Sequence, residues 1–270
     1  MTDAELRSAE VNGLSVSYRQ AGQGAALVFL HGFLCDSRCW TPQLSGLSDS
    51  FRVVAWDAPG AGASSDPPDT FKMIDYAHCL ARFLDTVGID RAHVVGLSWG
   101  GILAQEFYRL YPERLRCLVL ADTYAGWKGS LPEPAWKERL ADCLLAAAGP
   151  PEALVAQFVP SMFSELASED LRAKLSSILS EFHPAGFRLM ASSCAEMDTR
   201  KILPSIDVPT LLLWGDDDRR SPIQVAEQFH TAIPGAELVI VSSAGHVSNM
   251  ERPDAFNLHL RRFCMEHNAA

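Results

Sequence analysis

The stretch Ala92-His93-Val94-Val95-Gly96-Leu97-Ser98-Trp99-Gly100-Gly101-Ile102-Leu103-Ala104 decides which fold this chain adopts. A short apolar run ends in Gly-x-Ser-x-Gly, and a helical pattern begins at once and continues until Pro112, which cannot extend a helix. A serine at so sharp a strand-to-helix turn must adopt a strained backbone to raise its hydroxyl above a sheet. The residues two before and two after it then crowd together, and only glycine fits. The new helix points its first amides and the positive end of its dipole at the same spot, so negative charge is favoured there. Ser98 is therefore the candidate nucleophile.

Working outward, apolar runs of strand length recur at 26–30, 52–56, 93–96, 117–121, 210–214 and 238–241. Their unbroken Val/Leu/Ile character suits strands covered on both faces. Their alternation with helical patterns predicts a mostly parallel, doubly wound α/β sheet. Asn12-Gly13 predicts a hairpin turn near the N-terminus. A helix carrying Met73, Ala77, Leu80, Leu84 and Val87 follows cap candidates Asp69 and Thr70, and a last helix starts near Pro253. From 126 to 203 the rhythm changes. Only helical patterns occur, at 134–148, 151–163, 168–182 and 185–200, which predicts a helical cap inserted into a core made of 1–125 and 204–270.

A serine needs a base. Most of the eight histidines lie within helices or strands. His246 instead follows the run ending at Val241, in a loop at the carboxyl end of a strand, where doubly wound sheets place catalytic groups. An acid must orient that imidazole. Asp216, Asp217 and Asp218, after the strand ending at Trp214, and Asp122, after the one ending at Ala121, are all candidates. Stabilising an oxyanion calls for backbone amides. Trp99, next to the serine, supplies one, and Phe33, in the turn His31-Gly32-Phe33-Leu34, supplies the other. His31 is expected to brace that turn.

Composition limits the partners. The 270 residues carry a formal net charge of -10, which disfavours nucleic acid or an anionic membrane. No apolar run approaches the roughly 18 residues of a membrane span. Seven scattered cysteines without paired spacing, and an N-terminus without a signal pattern, predict a cytoplasmic protein with reduced thiols. No Cys/His ligand spacing is present, so neither metal nor organic cofactor is expected.

These motifs resemble the α/β-hydrolase family over nearly the whole chain. Residues 31–33 resemble its oxyanion turn, 57–62 its Asp-x-Pro-Gly-x-Gly turn and 96–100 its nucleophile elbow. Residues 215–222 resemble its acid loop, which selects Asp218, and 245–253 resemble its histidine segment. The resemblance implies a Ser98, Asp218, His246 triad in a serine hydrolase of the bacterial enol-lactonase, carboxylesterase and acyl-homoserine lactonase branch. Its substrate would be a small ester or lactone, held against Leu34, Trp127, Trp136 and Phe187. The alternatives within the fold are carbon–carbon bond hydrolysis, cofactor-free perhydrolysis and slow-turnover small-molecule reception. Val247 after the histidine and Trp99 after the serine depart from the usual residues of the first two.

Overall fold

A computed structural model describes residues 4–268. The chain runs β1 (Glu5–Val11), β2 (Leu14–Ala21), β3 (Ala26–Leu30), α1 (Thr41–Leu47), β4 (Arg52–Trp56), α2 (Met73–Thr86), β5 (Ala92–Leu97), α3 (Trp99–Leu110) and β6 (Leu115–Ala121). Five helices follow without a strand: α4 (Trp127–Ser130), α5 (Glu133–Ala147), α6 (Pro151–Phe158), α7 (Glu169–Ser180) and α8 (Pro184–Glu196). The chain then returns through β7 (Thr210–Gly215), α9 (Ile223–Ala232), β8 (Glu237–Val241), α10 (Ser248–Glu251) and α11 (Pro253–Glu266). None of the described helices is long and apolar enough to cross a membrane.

The eight strands form one sheet in the order β1-β2-β4-β3-β5-β6-β7-β8. The hairpin β1–β2 is antiparallel, β2 runs antiparallel to β4, and β3 to β8 are parallel. Asn12 and Gly13 both take positive φ, 51° and 82°, as the two-residue turn requires. Strands β3, β5 and β7 are buried along their whole length, and β6 at every residue but Arg116, which explains their continuous apolar runs. Parallel pairing sets Leu30 beside Gly96, Leu97 beside Ala121 and Gly215 beside Val241, so the carboxyl ends of β3, β5, β6, β7 and β8 share one edge.

Three local expectations need correction. Asp69 and Thr70 do not cap α2, because they lie in a turn closed by the Phe71 amide on the Pro68 carbonyl. Lys72 is the cap residue, and the Asp75 carboxylate accepts its amide at 2.9 Å. The helix expected over 151–163 ends at Phe158 in a 3₁₀ turn, since Pro160 cannot donate to the ladder. The helix expected to reach Arg200 stops at Glu196, where the chain bends back and the Thr199 amide donates to the Ala125 carbonyl.

Candidate active site

Ser98 sits between β5 and α3 with φ 53° and ψ -115°, a backbone conformation costly for any residue but glycine. The surrounding structure holds it there. Its amide donates to the Ala121 carbonyl at 3.0 Å, and its carbonyl accepts from the Gly101 amide and the Thr123 hydroxyl. The flanking glycines are required by contact: a Cβ on Gly96 would lie 2.3 Å from the Gly100 carbonyl oxygen, and one on Gly100 2.1 Å from that of Leu30.

The Ser98 Oγ lies 2.9 Å from His246 Nε2, and His246 Nδ1 lies 2.9 Å from Asp218 Oδ2. With Nδ1–H donating to the carboxylate, Nε2 is left as the acceptor for the serine proton. Asp218 Oδ1 in turn accepts the amides of Arg220 and Ser221 at 2.8 and 2.9 Å. All three side chains are buried, Ser98 being 4% exposed. The other aspartates are otherwise engaged. Asp122 accepts from the Gly215 amide and the Ser248 hydroxyl, Asp216 from the Ala244 amide, and Asp217 pairs with Arg219. Burial, and then the charge of Asp218, raise the Asp122 carboxyl well above the usual carboxylate range.

The turn after β3 closes on itself, with the Cys35 amide donating to the Gly32 carbonyl and Leu34 at φ 67°. It packs directly on Ser98, since a Cβ on Gly32 would meet the Ser98 Cβ at 3.3 Å. Neither the Phe33 amide nor the Trp99 amide, the first of α3, donates to an acceptor among the described residues. Two free amides beside a hydroxyl that can surrender its proton to an imidazole form the arrangement that attacks a carbonyl and holds the resulting oxyanion.

His31 braces the turn as expected. Its Nδ1–H donates to the Gly32 carbonyl at 2.8 Å, and Nε2 accepts the Ala58 amide at 3.0 Å. The second bond needs a neutral ring, because a protonated Nε2 cannot accept, and burial pulls the His31 pKa below the ordinary 6.5. A depressed folded-state pKa contributes stability that is present above about pH 6.5 and is lost as the pH falls further. His31→Gln is therefore expected to cost more stability at pH 7.5 than at pH 5 in urea unfolding. Equal losses at the two values would remove His31 from this role.

The family model described as alpha/beta hydrolase fold matches residues 25–253. The chain belongs to the α/β-hydrolase fold family. It is similar to 3-oxoadipate enol-lactonase 2 of Acinetobacter baylyi, 28% identical over 90% of this chain and 91% of that one. It is also similar to the dihydrolipoyllysine-residue acetyltransferase component of the acetoin cleaving system of Cupriavidus necator, 31% identical over 96% of this chain and 69% of that protein. Among solved structures, a thermophilic esterase from Thermogutta terrifontis superimposes with a TM-score of 0.90 at 27% identity, covering 98% of this chain and 99% of that one.

Of the residues expected to hold substrate, Leu34, Trp127 and Phe187 are buried at or near the turn after β3. The Phe33 ring stacks on Phe187 at 5.5 Å and meets Trp127 edge-on at 6.0 Å. Trp136 stands apart, half-buried on α5 with the Lys137 ammonium over its ring. Phe158 joins the aromatic group, 6.2 Å from Phe33. Three polar contributors were not singled out from the sequence. Glu251 accepts the amides of Gly245 and Ser164, tying the histidine loop to the helical insertion. Arg220 lies over the rings of both Phe33 and Phe158, and Arg139 lies over those of Tyr124 and Trp127. No spacing rule exposes such residues, because each joins segments far apart in the chain.

At the opposite ends of β5 and β6, the fold also brings His93, Cys117 and Cys264 within 4.8 Å of one another, a soft-ligand cluster that the scattered spacing conceals. Burial alone would raise the Cys264 thiol, yet hydrogen bonds with Cys117 and His93 hold it down at about 6.

Proposed function

We propose that this protein hydrolyses a carboxylic ester or lactone through an acyl-enzyme on Ser98. The observation that carries this is the unbroken relay from the Ser98 hydroxyl through His246 to Asp218, beside two unpaired amides. Ser98 Oγ bonds to the substrate carbonyl carbon as its proton passes to His246 Nε2. The Phe33 and Trp99 amides hold the oxyanion. On collapse the C–O bond breaks, and His246 returns its proton to the leaving alkoxide, which stays tethered when the substrate is a lactone. Water, deprotonated by His246, then attacks the acyl carbon and releases the acid and the free serine. The chemistry calls on no metal or organic cofactor. Seven buried, unbridged cysteines support a reducing, cytoplasmic setting.

A fluorophosphonate probe is expected to label Ser98 in the folded protein and nothing after heat denaturation. The labelled protein should no longer hydrolyse methyl butanoate. Activity is expected to resist chelators. Labelling at another residue counts against the mechanism. Turnover of a vinylogous diketone in place of every ester would favour carbon–carbon bond hydrolysis instead.

In this reading the insertion, residues 126–203, is a cap that selects the acyl group while the chemistry stays in the core. Each methylene buried against its side chains is worth about 0.8 kcal/mol, close to fourfold in kcat/KM. Phe187→Ala is expected to move the preferred acyl length upward while hydrolysis of an acetate ester continues. Trp136→Ala should shift it less, since that ring stands off from Phe33. If Phe187→Ala stops acetate hydrolysis while Ser98 still reacts with the probe, the cap takes part in the chemistry and this division fails.

A further inference from the structure

A cavity of about 390 Å³ lies between α5, α6 and the loop after β7. Arg139, Arg220, Cys143, Phe158 and Ser161 are among the residues that line it. Arg139 and Arg220 are only partly exposed, and neither guanidinium has a carboxylate partner among the described residues. Arg220 donates to the Ser161 hydroxyl, and Arg139 to the Tyr124 hydroxyl, each at 2.9 Å. These are neutral acceptors, so neither guanidinium is held in a direct ion pair. The lining also carries Glu138 and Asp142, both exposed, and Arg219, which is paired with Glu165 and Asp217.

The cavity is joined to the reaction centre through Arg220. Its backbone amide holds Asp218 Oδ1, while its guanidinium turns over the Phe33 ring at 5.7 Å and the Phe158 ring at 5.2 Å. Arg220 thus stands between the cavity and the Phe33 ring. Burial, together with the neighbouring Arg139 charge, pulls the Arg220 guanidinium below its ordinary value, a penalty that an incoming anion would relieve.

Building on the hydrolase reading above, we propose that Arg139 and Arg220 form a carboxylate-binding subsite, so that the preferred substrate is an ester or lactone carrying a free carboxylate on its acyl chain. Guanidinium is suited to this, since its planar fork matches a carboxylate and it tolerates partial desolvation better than ammonium. The apolar rings of Phe33, Phe158 and Phe187 then cover the methylenes between the anchored carboxylate and the reacting carbonyl.

The test compares the monomethyl esters of glutarate, adipate and pimelate with the neutral methyl esters of matching chain length. For each pair the readout is the ratio of kcat/KM, anionic over neutral. At the best length the wild-type ratio is expected to exceed about 10 and to fall with added salt. Arg220→Gln and Arg139→Gln should each lower that ratio by about 10- to 100-fold, chiefly through KM, and Arg220→Lys should restore part of it. A wild-type ratio near one at every length overturns the subsite, as does a ratio unchanged in both Gln variants. Loss of both esters in parallel would mean that the arginines only support the fold. If the wild type hydrolyses no ester at all, the hydrolase reading fails, and binding decides the subsite separately. Calorimetric titration of Ser98→Ala with monomethyl adipate should then show uptake that is lost in Ser98→Ala/Arg220→Gln. No uptake by Ser98→Ala rejects the subsite.

Discussion

Replacing Ser98 by Ala is expected to lower kcat by about 10⁵- to 10⁶-fold on any ester that the wild type hydrolyses. The size follows from the geometry. Only the Ser98 Oγ stands 2.9 Å from His246 Nε2, and the strained turn that lifts it there leaves no second nucleophile in its place. Water can still react against the Phe33 and Trp99 amides, which is why the loss has a floor. The fold should survive, because the bonds that hold the turn use the Ser98 amide and carbonyl rather than its hydroxyl. Steady-state kinetics with circular dichroism would check both parts. A variant that keeps more than about one-hundredth of the activity would require a different nucleophile. The buried cysteines offer no substitute: burial raises the Cys79 thiol to about 12 and that of Cys143 to about 11. The one lowered thiol, Cys264, lies at the far end of the sheet.

The second large effect is expected at Asp218, where Asn should cost about 10⁴-fold in kcat. An amide can present its NH₂ to His246 Nδ1, which moves the ring proton to Nε2 and removes the acceptor that Ser98 needs. Asp122→Asn, by contrast, should lose less than about tenfold, since neither Asp122 oxygen reaches His246. Its effect is expected in stability. The Asp122 carboxyl is held protonated beyond its ordinary range, so its contribution is fully present at low pH and fades as the pH rises through its raised folded-state pKa. An Asn there cannot ionise, and the variant should gain on the wild type as the pH increases. Unfolding in urea at pH 5 and pH 8, with kcat measured on both variants, tests the pair. A greater kinetic loss in Asp122→Asn than in Asp218→Asn would move the acid to the end of β6.

Most of the core could be read from the chain alone, because its signals are local. The Val/Leu/Ile runs of β3 to β7 report burial on both faces, a property of each strand separately. Strand β8 carries a similar run but lies half-exposed at the sheet edge, so its reading as a doubly covered strand fails. The Gly96-x-Ser98-x-Gly100 turn announces itself through excluded volume within five consecutive residues. Helix α1 and helix α9 were not singled out: α1 is only two turns long, and α9 follows the acid loop with no side-chain cap to mark its start. The end of α6 depends on Pro160, a local signal set among strongly helical neighbours.

Choosing among Asp122, Asp216, Asp217 and Asp218 was beyond residue spacing. All four follow strands that end on the same edge of the sheet, and only the loop geometry decides which carboxylate meets His246 at 2.9 Å. The distinction rests on where two loops converge in space, which no single segment encodes. The same holds for Arg139 and Arg220, separated by a whole strand and five helical segments in the chain yet facing one cavity. Their charges read as ordinary solvated surface in the sequence. Their lack of carboxylate partners becomes visible only after α5, α6 and the loop after β7 have packed together, because pairing is a property of the folded contact set. The sequence by itself thus determined the sheet, the nucleophile and the order of the reacting groups, each dictated by short-range sterics and hydrophobic burial. The acid-loop resemblance of residues 215–222 already selects Asp218. The tertiary structure alone shows it meeting His246 and shows which cations have no ion-pair partner, since both depend on distances between segments far apart in the chain.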